Sequence, residues 1–335
     1  MRETITYIYR KPEPNYKSIE GIFYTISEKI GLERETSKLE LQCSGGNLGT
    51  LWSNMSNFQR KINHIYHITG DVQYMGIVTR RKSVLTVHDV KSIVKGRFLK
   101  RTYMKLFWFW LPALFVKRIT VISEFTKKEL EHVIPFAKHK IRVVPNPVND
   151  VFQFKPSVFN KNKPIILLLG TKSNKNLERI FKALEGINCE VMLIGKLTKH
   201  QDLLSKKLNL NLTSKFDLSL EQVVVAYQNC DMLCFASTYE GFGMPIIEAQ
   251  ATGRPVLTSN LGAMKEVAAD SALLVNPFEI TSIRAGINQL INDETLRERL
   301  IKKGSINVQR FCTETVVNDY LKIYTELETS KVKML

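Results

Sequence analysis

Met232-Leu233-Cys234-Phe235-Ala236-Ser237-Thr238-Tyr239-Glu240-Gly241-Phe242-Gly243-Met244-Pro245-Ile246-Ile247-Glu248 is the stretch that decides the fold. Residues 232–236 are an apolar run of strand length, a Gly-x-Gly loop follows, and a proline suited to open a helix comes next. Gly241 and Gly243 permit positive φ and let a ligand approach the backbone. The free N–H groups of the following helix's first turn attract anions. Pro245 suits the first helical position, where its missing N–H is not needed. Glu248, three residues on, falls one turn deeper on the same face. A carboxylate there accepts two hydrogen bonds from a vicinal diol such as a ribose. Glu240, before the helix, faces whatever the glycines approach. The pattern suits a nucleotide-sugar, with diphosphate at the helix end, ribose on one Glu and sugar on the other. The competing reading is an ordinary strand-to-helix connection. Two carboxylates on otherwise apolar elements count against it, because unpaired acids near a core are costly.

Outward from this unit the chain alternates strands and helices. In the second half, strands are expected at 165–169, 189–194, 232–236, 255–259 and 272–275. Helices are expected at 176–184, 199–208, 219–228, 248–251, 265–268, 280–292, 294–303 and 313–329. The first half repeats the pattern, with strands at 5–9, 38–42, 64–68, 83–87, 118–122 and 141–144. Its helices are expected at 18–30, 58–62, 97–116 (broken near Pro112) and 124–133, the last capped by Ser123. Residues 145–163 carry three prolines and no helical period. The expected organisation is a first domain over 1–150, a linker over 151–163 and a second domain over 164–312. A C-terminal helix over 313–335 is open to crossing back to the first domain. Apolar strands alternating with helices mean parallel sheets covered on both faces. The fold class is therefore α/β, two Rossmann-like doubly wound domains facing a central cleft, with ligands at the strand carboxyl ends.

A chain of 335 residues with 44% hydrophobic content has room for two such cores. The five cysteines at 43, 189, 230, 234 and 312 lack paired metal-ligand spacing. They read as free thiols of a reducing cytoplasm, and no metal is expected. The N-terminal residues show no signal-peptide apolar region. The net charge of +16 is uneven: residues 1–150 hold 25 Lys and Arg against 13 Asp and Glu, residues 151–335 hold 23 against 19. The sharpest cluster, 91–118, has eight basic and no acidic residues around the run Leu106-Phe107-Trp108-Phe109-Trp110-Leu111-Pro112-Ala113-Leu114-Phe115-Val116. Eleven apolar residues do not cross a bilayer, which needs roughly 20. Lys100, Arg101, Lys105, Trp108 and Trp110 instead suit the surface of an anionic membrane; the alternative is a core helix with a solvated basic face. No nucleic-acid recognition motif is present, and nucleic acid is not an expected partner.

Other candidate residues sit at strand ends. Gly170-Thr171-Lys172-Ser173-Asn174-Lys175-Asn176 offers backbone N–H groups and two lysines, though it is not a Walker-type loop. It reads as a phosphate site or as an ordinary solvated turn. Thr86-Val87-His88-Asp89 and His67-Ile68-Thr69-Gly70-Asp71 end neighbouring strands of the other domain.

Together these pieces resemble retaining glycosyltransferases of the GT-B fold, specifically glycosyltransferase family 4 (glycosyl transferases group 1). The segments in family order are His67 to Asp71, His88-Asp89, Val121-Ile122-Ser123-Glu124-Phe125-Thr126, Val144-Pro145-Asn146-Pro147-Val148, Gly170-Thr171 with Lys175-Asn176, Leu218-Ser219-Leu220-Glu221, Tyr227-Gln228-Asn229-Cys230-Asp231, Glu240-Gly241-Phe242-Gly243 and Ser259-Asn260-Leu261-Gly262. The resemblance implies that Glu240 contacts the transferred sugar, Glu248 the ribose and Lys175 the diphosphate. It implies that His88 lines the reaction centre. The donor set it implies is Gly170, Thr171, Lys172, Lys175, Phe216, Leu218, Glu240, Gly241, Phe242, Gly243, Met244, Glu248, Leu261 and Gly262. Lys17, Thr69, Gly70, His88 and Asp89 are the implied acceptor contacts. Such enzymes keep the anomeric configuration and usually need neither metal nor cofactor, because basic side chains and a helix end stabilise the departing diphosphate. The chain departs from the family in two places. Residues 10–17 carry Lys, Pro and Asn where a Gly-Gly loop is common, and Asn174 stands where a basic residue often precedes the lysine, a loss that Lys172 is expected to offset.

The expected activity is transfer of a hexose from a UDP- or GDP-sugar to a saccharide acceptor, lipid-linked, in bacterial surface polysaccharide or glycolipid synthesis. The expected place is the cytoplasm, peripheral at the inner face of the membrane. A sugar-nucleotide epimerase of the same shape and a non-catalytic membrane-surface binding protein are the alternatives. The ordered motif set argues against the first, and intact Glu240, Glu248, Lys175 and His88 against the second.

Overall fold

A computed structural model describes residues 2–11, 18–91 and 98–329. Lys17, expected at the acceptor, lies outside the described residues. The strands β1 Thr4–Tyr9, β2 Thr36–Glu40, β3 His64–Ile68, β4 Ser83–Val87, β5 Arg118–Val121 and β6 Ile141–Val143 form one parallel sheet in the order β2-β1-β3-β4-β5-β6. The strands β7 Ile165–Leu169, β8 Glu190–Ile194, β9 Leu212–Lys215, β10 Met232–Phe235, β11 Val256–Ser259 and β12 Leu273–Val275 form a second, in the order β12-β11-β10-β7-β8-β9. The sheets belong to two compact units. One holds the chain up to Pro147 together with the helix Thr313–Thr329, and the other runs Val148–Cys312.

The sequence explains the parallel pairing. Every residue of β4 and of β10 is buried, and Ile166, Leu167 and Leu168 are 0% exposed, as expected of strands covered on both faces. The strand order then fixes where ligands go. In a doubly wound sheet the crevice opens where the order reverses, at the carboxyl ends of the two strands flanking that point. In the second sheet these are β7 and β10, followed by residues 170–176 and 236–243. In the first they are β1 and β3, and β3 is followed by Thr69, Gly70 and Asp71.

Residues 151–163, expected as a linker, are built onto the second unit. Asn160 N–H donates to Asp231 Oδ1 at 2.9 Å, and Lys155 O accepts from Arg254 Nη1 at 3.1 Å. The guanidinium of Arg297 lies 4.0 Å from the Phe159 ring centroid. The C-terminal helix Thr313–Thr329 belongs to the first unit. It buries Val316, Tyr320, Ile323, Tyr324 and Leu327 along one stripe, packed with Phe23, Ile26 and Ile30 of the helix Ser18–Gly31. Tyr324 Oη meets His67 Nδ1 at 2.5 Å and donates to Tyr7 Oη at 3.2 Å, and Arg118 pairs with Glu326 at 2.9 Å.

Several expected elements move. The helix expected at 58–62 is instead Leu48–Ser56, because Asn47 Oδ1 caps Thr50 N–H at 2.9 Å. The strand expected at 38–42 begins two residues earlier, at Thr36. The edge strand β9 was not foreseen. Residues 98–115 form one helical run, Phe98–Met104, a π-helical stretch Lys105–Trp110 and Leu111–Phe115, without a break at Pro112. Leu111 N–H bonds Leu106 O, so the proline's missing donor falls where the π register returns to α. This run also withdraws Trp108 from the expected membrane surface. Trp108 is 6% exposed, donates its indole N–H to Asp71 O at 3.2 Å, and packs edge-on to Tyr74 at 5.4 Å. An apolar stretch this dense has side chains on the core face as well as the outer one. Trp110 is 41% exposed, and Lys105 Nζ lies 4.8 Å from its ring centroid. Among the described residues no helix is long and apolar enough to cross a membrane.

Candidate functional site

In the second unit the two loops at the switch point are joined through side chains. Gly170 leaves β7 with φ +79°, and a Cβ there would come within 2.9 Å of Lys175 Cε. Glycine thus lets the Lys175 stem fold across the end of its own strand. Asn176, left-handed at φ 60°, donates from Nδ2 to Ala236 O at 3.0 Å and Pro277 O at 2.7 Å. Lys175 Nζ is thereby set 2.8 Å from Glu240 Oε1 and 4.7 Å from the Phe235 ring centroid. Asn174 Nδ2 donates to the same Glu240 oxygen at 3.0 Å and to Tyr239 O at 2.9 Å, while the Asn174 backbone carbonyl accepts Thr238 N–H at 2.8 Å. Glu240 is therefore held by a charge and by an amide from the facing loop.

The helix Met244–Ala251 begins after Gly243, whose φ of +116° only glycine adopts readily. Pro245 is its second residue rather than its first. Glu248 accepts the Tyr227 hydroxyl at Oε2, 2.6 Å away. Burial pushes the Glu248 carboxyl up to about 7, against the opposing pull of the Tyr227 bond and the Lys175 charge. Tyr227 is 0% exposed on the helix Leu220–Asn229, and burial drives its hydroxyl far above its ordinary range, so it remains a donor. One oxygen of Glu248 is thus occupied by Tyr227.

Leu261 precedes the helix Gly262–Ala268, and Gly262 has φ 49°. Ser259 Oγ donates to Ser237 O at 2.5 Å, so the end of β11 lies beside the Glu240 loop. Phe242 is turned inward, 4% exposed and edge-on to Phe311 at 5.5 Å, so its side chain belongs to the core and only its backbone is offered to a ligand. Phe216 is 51% exposed under Lys196 Nζ, 5.5 Å from its ring centroid. Leu218 lines a cavity of about 260 Å³ with Ile194, Glu221 and Asn229. Thr171 O accepts Gln201 Nε2 at 3.0 Å, and Lys172 is exposed.

In the first unit His88 Nε2 lies 2.7 Å from Thr69 O. A carbonyl only accepts, so Nε2 carries the proton and a neutral ring keeps Nδ1 as the acceptor. Burial lowers the His88 pKa, opposed first by the Thr69 bond and then by Asp71 and Asp89. Thr69 is 2% exposed and its hydroxyl bonds Ile8 O at 2.9 Å, so only its carbonyl meets His88. Gly70 has φ +139°, and Asp71 accepts Arg10 Nη1 at 2.5 Å. Asp89 is exposed and borders a depression of about 780 Å³ with Gly46, Lys91, Lys100, Tyr103 and Trp108. His67 is not at the surface: it is 0% exposed, its Nε2 is 2.7 Å from Thr86 Oγ1, and burial lowers its pKa to about 3.

Sequence reasoning missed two residues here. Tyr227 was read only as part of a motif, and Asn174 only as the loss of a cation; neither motif order nor spacing signals a hydrogen bond to a carboxylate from a facing element. Among the described residues no group of three His, Cys, Asp or Glu is placed to hold a metal ion.

Two family profiles match the chain: Glycosyl transferases group 1 over residues 150–306 and Glycosyltransferase Family 4 over residues 46–152. An uncharacterised glycosyltransferase of Methanocaldococcus jannaschii is 26% identical over 253 residues, covering 73% of this chain and 68% of that protein. An O-antigen chain mannosyltransferase of Salmonella typhimurium is 26% identical over 220 residues, covering 63% of this chain and 61% of that protein. Among solved structures, Anabaena HepE in complex with UDP and glucose superposes with a TM-score of 0.77 at 16% identity, covering 97% of this chain and 100% of that one. The likeness establishes the α/β GT-B fold.

Proposed function

The chain belongs to the glycosyltransferases of group 1 and family 4, its two matched segments running together from 46 to 306, and on that premise we propose that it moves a hexose from a UDP- or GDP-sugar to a lipid-linked saccharide in surface polysaccharide synthesis. One observation carries this reading: Lys175 and Glu240 meet at 2.8 Å at the switch point of the second sheet, with Glu248 held by Tyr227 nearby on the same unit. The arrangement offers a cation for a diphosphate, a carboxylate for the sugar hydroxyls and a second carboxylate for a ribose. The Salmonella relative is named for O-antigen mannosyl transfer, and the Anabaena structure holds UDP and glucose; both support the donor and acceptor classes.

The reaction we infer is retaining and uses no metal. Lys175 and the amino end of the helix Met244–Ala251 stabilise charge on the departing diphosphate. Glu240 orients the sugar. Its carboxylate is paired with Lys175, so a diphosphate that takes the lysine frees the carboxylate for the sugar. His88 lines the acceptor side, its Nδ1 available to a hydroxyl proton. The protein works at the cytoplasmic face of an anionic membrane.

A thermal-shift screen of UDP- and GDP-sugars tests the donor. The true donor raises the melting temperature by mass action, and Glu240→Gln abolishes transfer while retaining the shift given by the nucleotide alone. A Glu240→Gln enzyme with full transfer refutes the assignment. Incubation of the donor without acceptor separates transfer from epimerisation.

A further inference from the structure

The strongest unassigned feature lies at the amino ends of β3 and β4, opposite the strand ends that carry Thr69 and His88. Arg60, Arg80, Arg81, Leu114 and Phe115 line a depression of about 570 Å³. All three arginines are exposed. Among the described residues no carboxylate pairs with any of them, whereas the neighbouring Lys82 and Arg118 are paired with Glu3 and Glu326. Leu114 is 56% exposed and Phe115 37%, and Ile62, two residues from Arg60, is 88% exposed.

A second observation fixes this surface. Lys140 Nζ donates to Ala113 O at 2.8 Å, Leu114 O at 3.1 Å and Val116 O at 3.0 Å, capping the end of the helical run. The apolar pair is thus held rigidly beside the guanidinium groups. Burial lowers the Lys140 pKa, and the charges of Arg81, Lys117 and Arg118 lower it further, an independent mark of concentrated positive charge.

We propose that this depression docks the protein onto a membrane by binding the phosphate headgroups of anionic lipids, with Leu114 and Phe115 entering the acyl boundary. Water solvates the arginines but not the apolar pair, and a soluble anion serves the arginines alone. A lipid interface satisfies both, since guanidinium forks match phosphate and the apolar side chains leave water. The proposal deepens the membrane-surface reading above and moves its contact away from Trp108. It also bears on the acceptor. Arg60, Arg80 and Arg81 precede β3 and β4, whereas Thr69 and His88 follow them. A five-residue strand spans about 17 Å, so with the strands upright on the membrane the reacting hydroxyl stands about that far from the headgroups. That distance suits an acceptor whose saccharide already extends several sugars from its lipid.

The test is flotation of the full chain with vesicles of phosphatidylcholine alone or with phosphatidylglycerol added, without donor or acceptor. Its outcome is therefore independent of whether transfer occurs. The wild type should float only with phosphatidylglycerol. Arg60→Gln with Arg80→Gln and Arg81→Gln should lower the partition roughly a hundredfold, while keeping the wild-type circular-dichroism spectrum and cooperative melting of the first unit as a check on folding. Leu114→Ser with Phe115→Ser should weaken binding even at low salt. The proposal is overturned by absence of wild-type binding to phosphatidylglycerol vesicles, by full binding of the triple variant, or by release in inorganic phosphate well beyond that in chloride of equal ionic strength. The last result marks a soluble phosphate site instead. Loss of binding in Lys100→Gln with Arg101→Gln, but not in the arginine triple, returns the contact to the start of the helical run and likewise overturns it.

Discussion

Glu248→Gln should make the empty protein more stable and the nucleotide complex weaker. The Glu248 carboxyl is held near 7 in the fold against an ordinary 4.5, with burial as the leading cause. The gap corresponds to roughly 3 kcal/mol, an upper bound, because Glu248 is only half-buried and water screens it. At pH below 4.5 the carboxyl is protonated folded and unfolded, and the substitution changes little. Between 4.5 and 7 the unfolded chain ionises while the fold keeps its proton, so wild-type stability falls relative to the variant. Above 7 the whole difference applies. Gln is neutral, isosteric and still able to accept the Tyr227 hydroxyl. In calorimetry the second unit should therefore melt at the same temperature in both proteins near pH 4. Above pH 7 the variant should melt up to about 10 °C higher, at roughly 2–4 °C per kcal/mol for a domain of this size. If Glu248 receives the ribose as proposed, the same change removes its charged acceptor and should lower nucleotide affinity about tenfold. A melting difference that is absent at high pH, or equal at all pH values, refutes the account of a carboxylate kept under strain for its ligand.

The remaining expectations concern groups around it. Asn174→Asp replaces two donated hydrogen bonds with a carboxylate facing Glu240; turnover should fall at least tenfold while the Kd for UDP or GDP alone stays unchanged, as isothermal titration and steady-state kinetics will show. A simple folding defect would weaken both. Gly170→Ala places a methyl group within 2.9 Å of Lys175 Cε at a φ of +79°, so nucleoside diphosphate affinity should drop about tenfold, with a loss of stability of about 1 kcal/mol or more. Trp108→Ala removes a buried indole and should cost about 3–5 kcal/mol in denaturant unfolding. Vesicle binding per folded molecule should be unaffected, which separates this variant from the arginine triple.

What was legible in the sequence, and what was not, follows from how far each signal travels along the chain. The strand Ile165–Leu169 and the loop from Ser237 to Glu248 announce themselves within a dozen residues, because aliphatic runs and a Gly-x-Gly before a helix are local. Lys175 was legible for the same reason, as a cation after a strand. The strand Leu212–Lys215 was not: Leu-Thr-Ser-Lys is a polar edge strand with only alternate residues half-covered, and no apolar run marks it. The helix Leu48–Ser56 was hidden by Gly49 and by Gly45 and Gly46 just before it, although Asn47 three residues before Thr50 is a capping signal. The partners that set the chemistry lie further apart. Asn174 and Glu240 are separated by 66 residues and Tyr227 and Glu248 by 21, and only the strand order β10-β7 brings the first pair together. Tyr324 reaches His67 across 257 residues, which makes the histidine that opens the His67 to Asp71 motif a core hydrogen-bond partner. The apolar run around Trp108 held both answers at once, since a segment that dense serves core and surface together, and Trp108 and Trp110, two residues apart on one helical run, face opposite ways. Sequence thus names the charged groups of the candidate site. The neutral groups that hold them, an amide and a phenol, become visible only when distant elements close on each other, and they are the ones whose removal should separate binding from turnover.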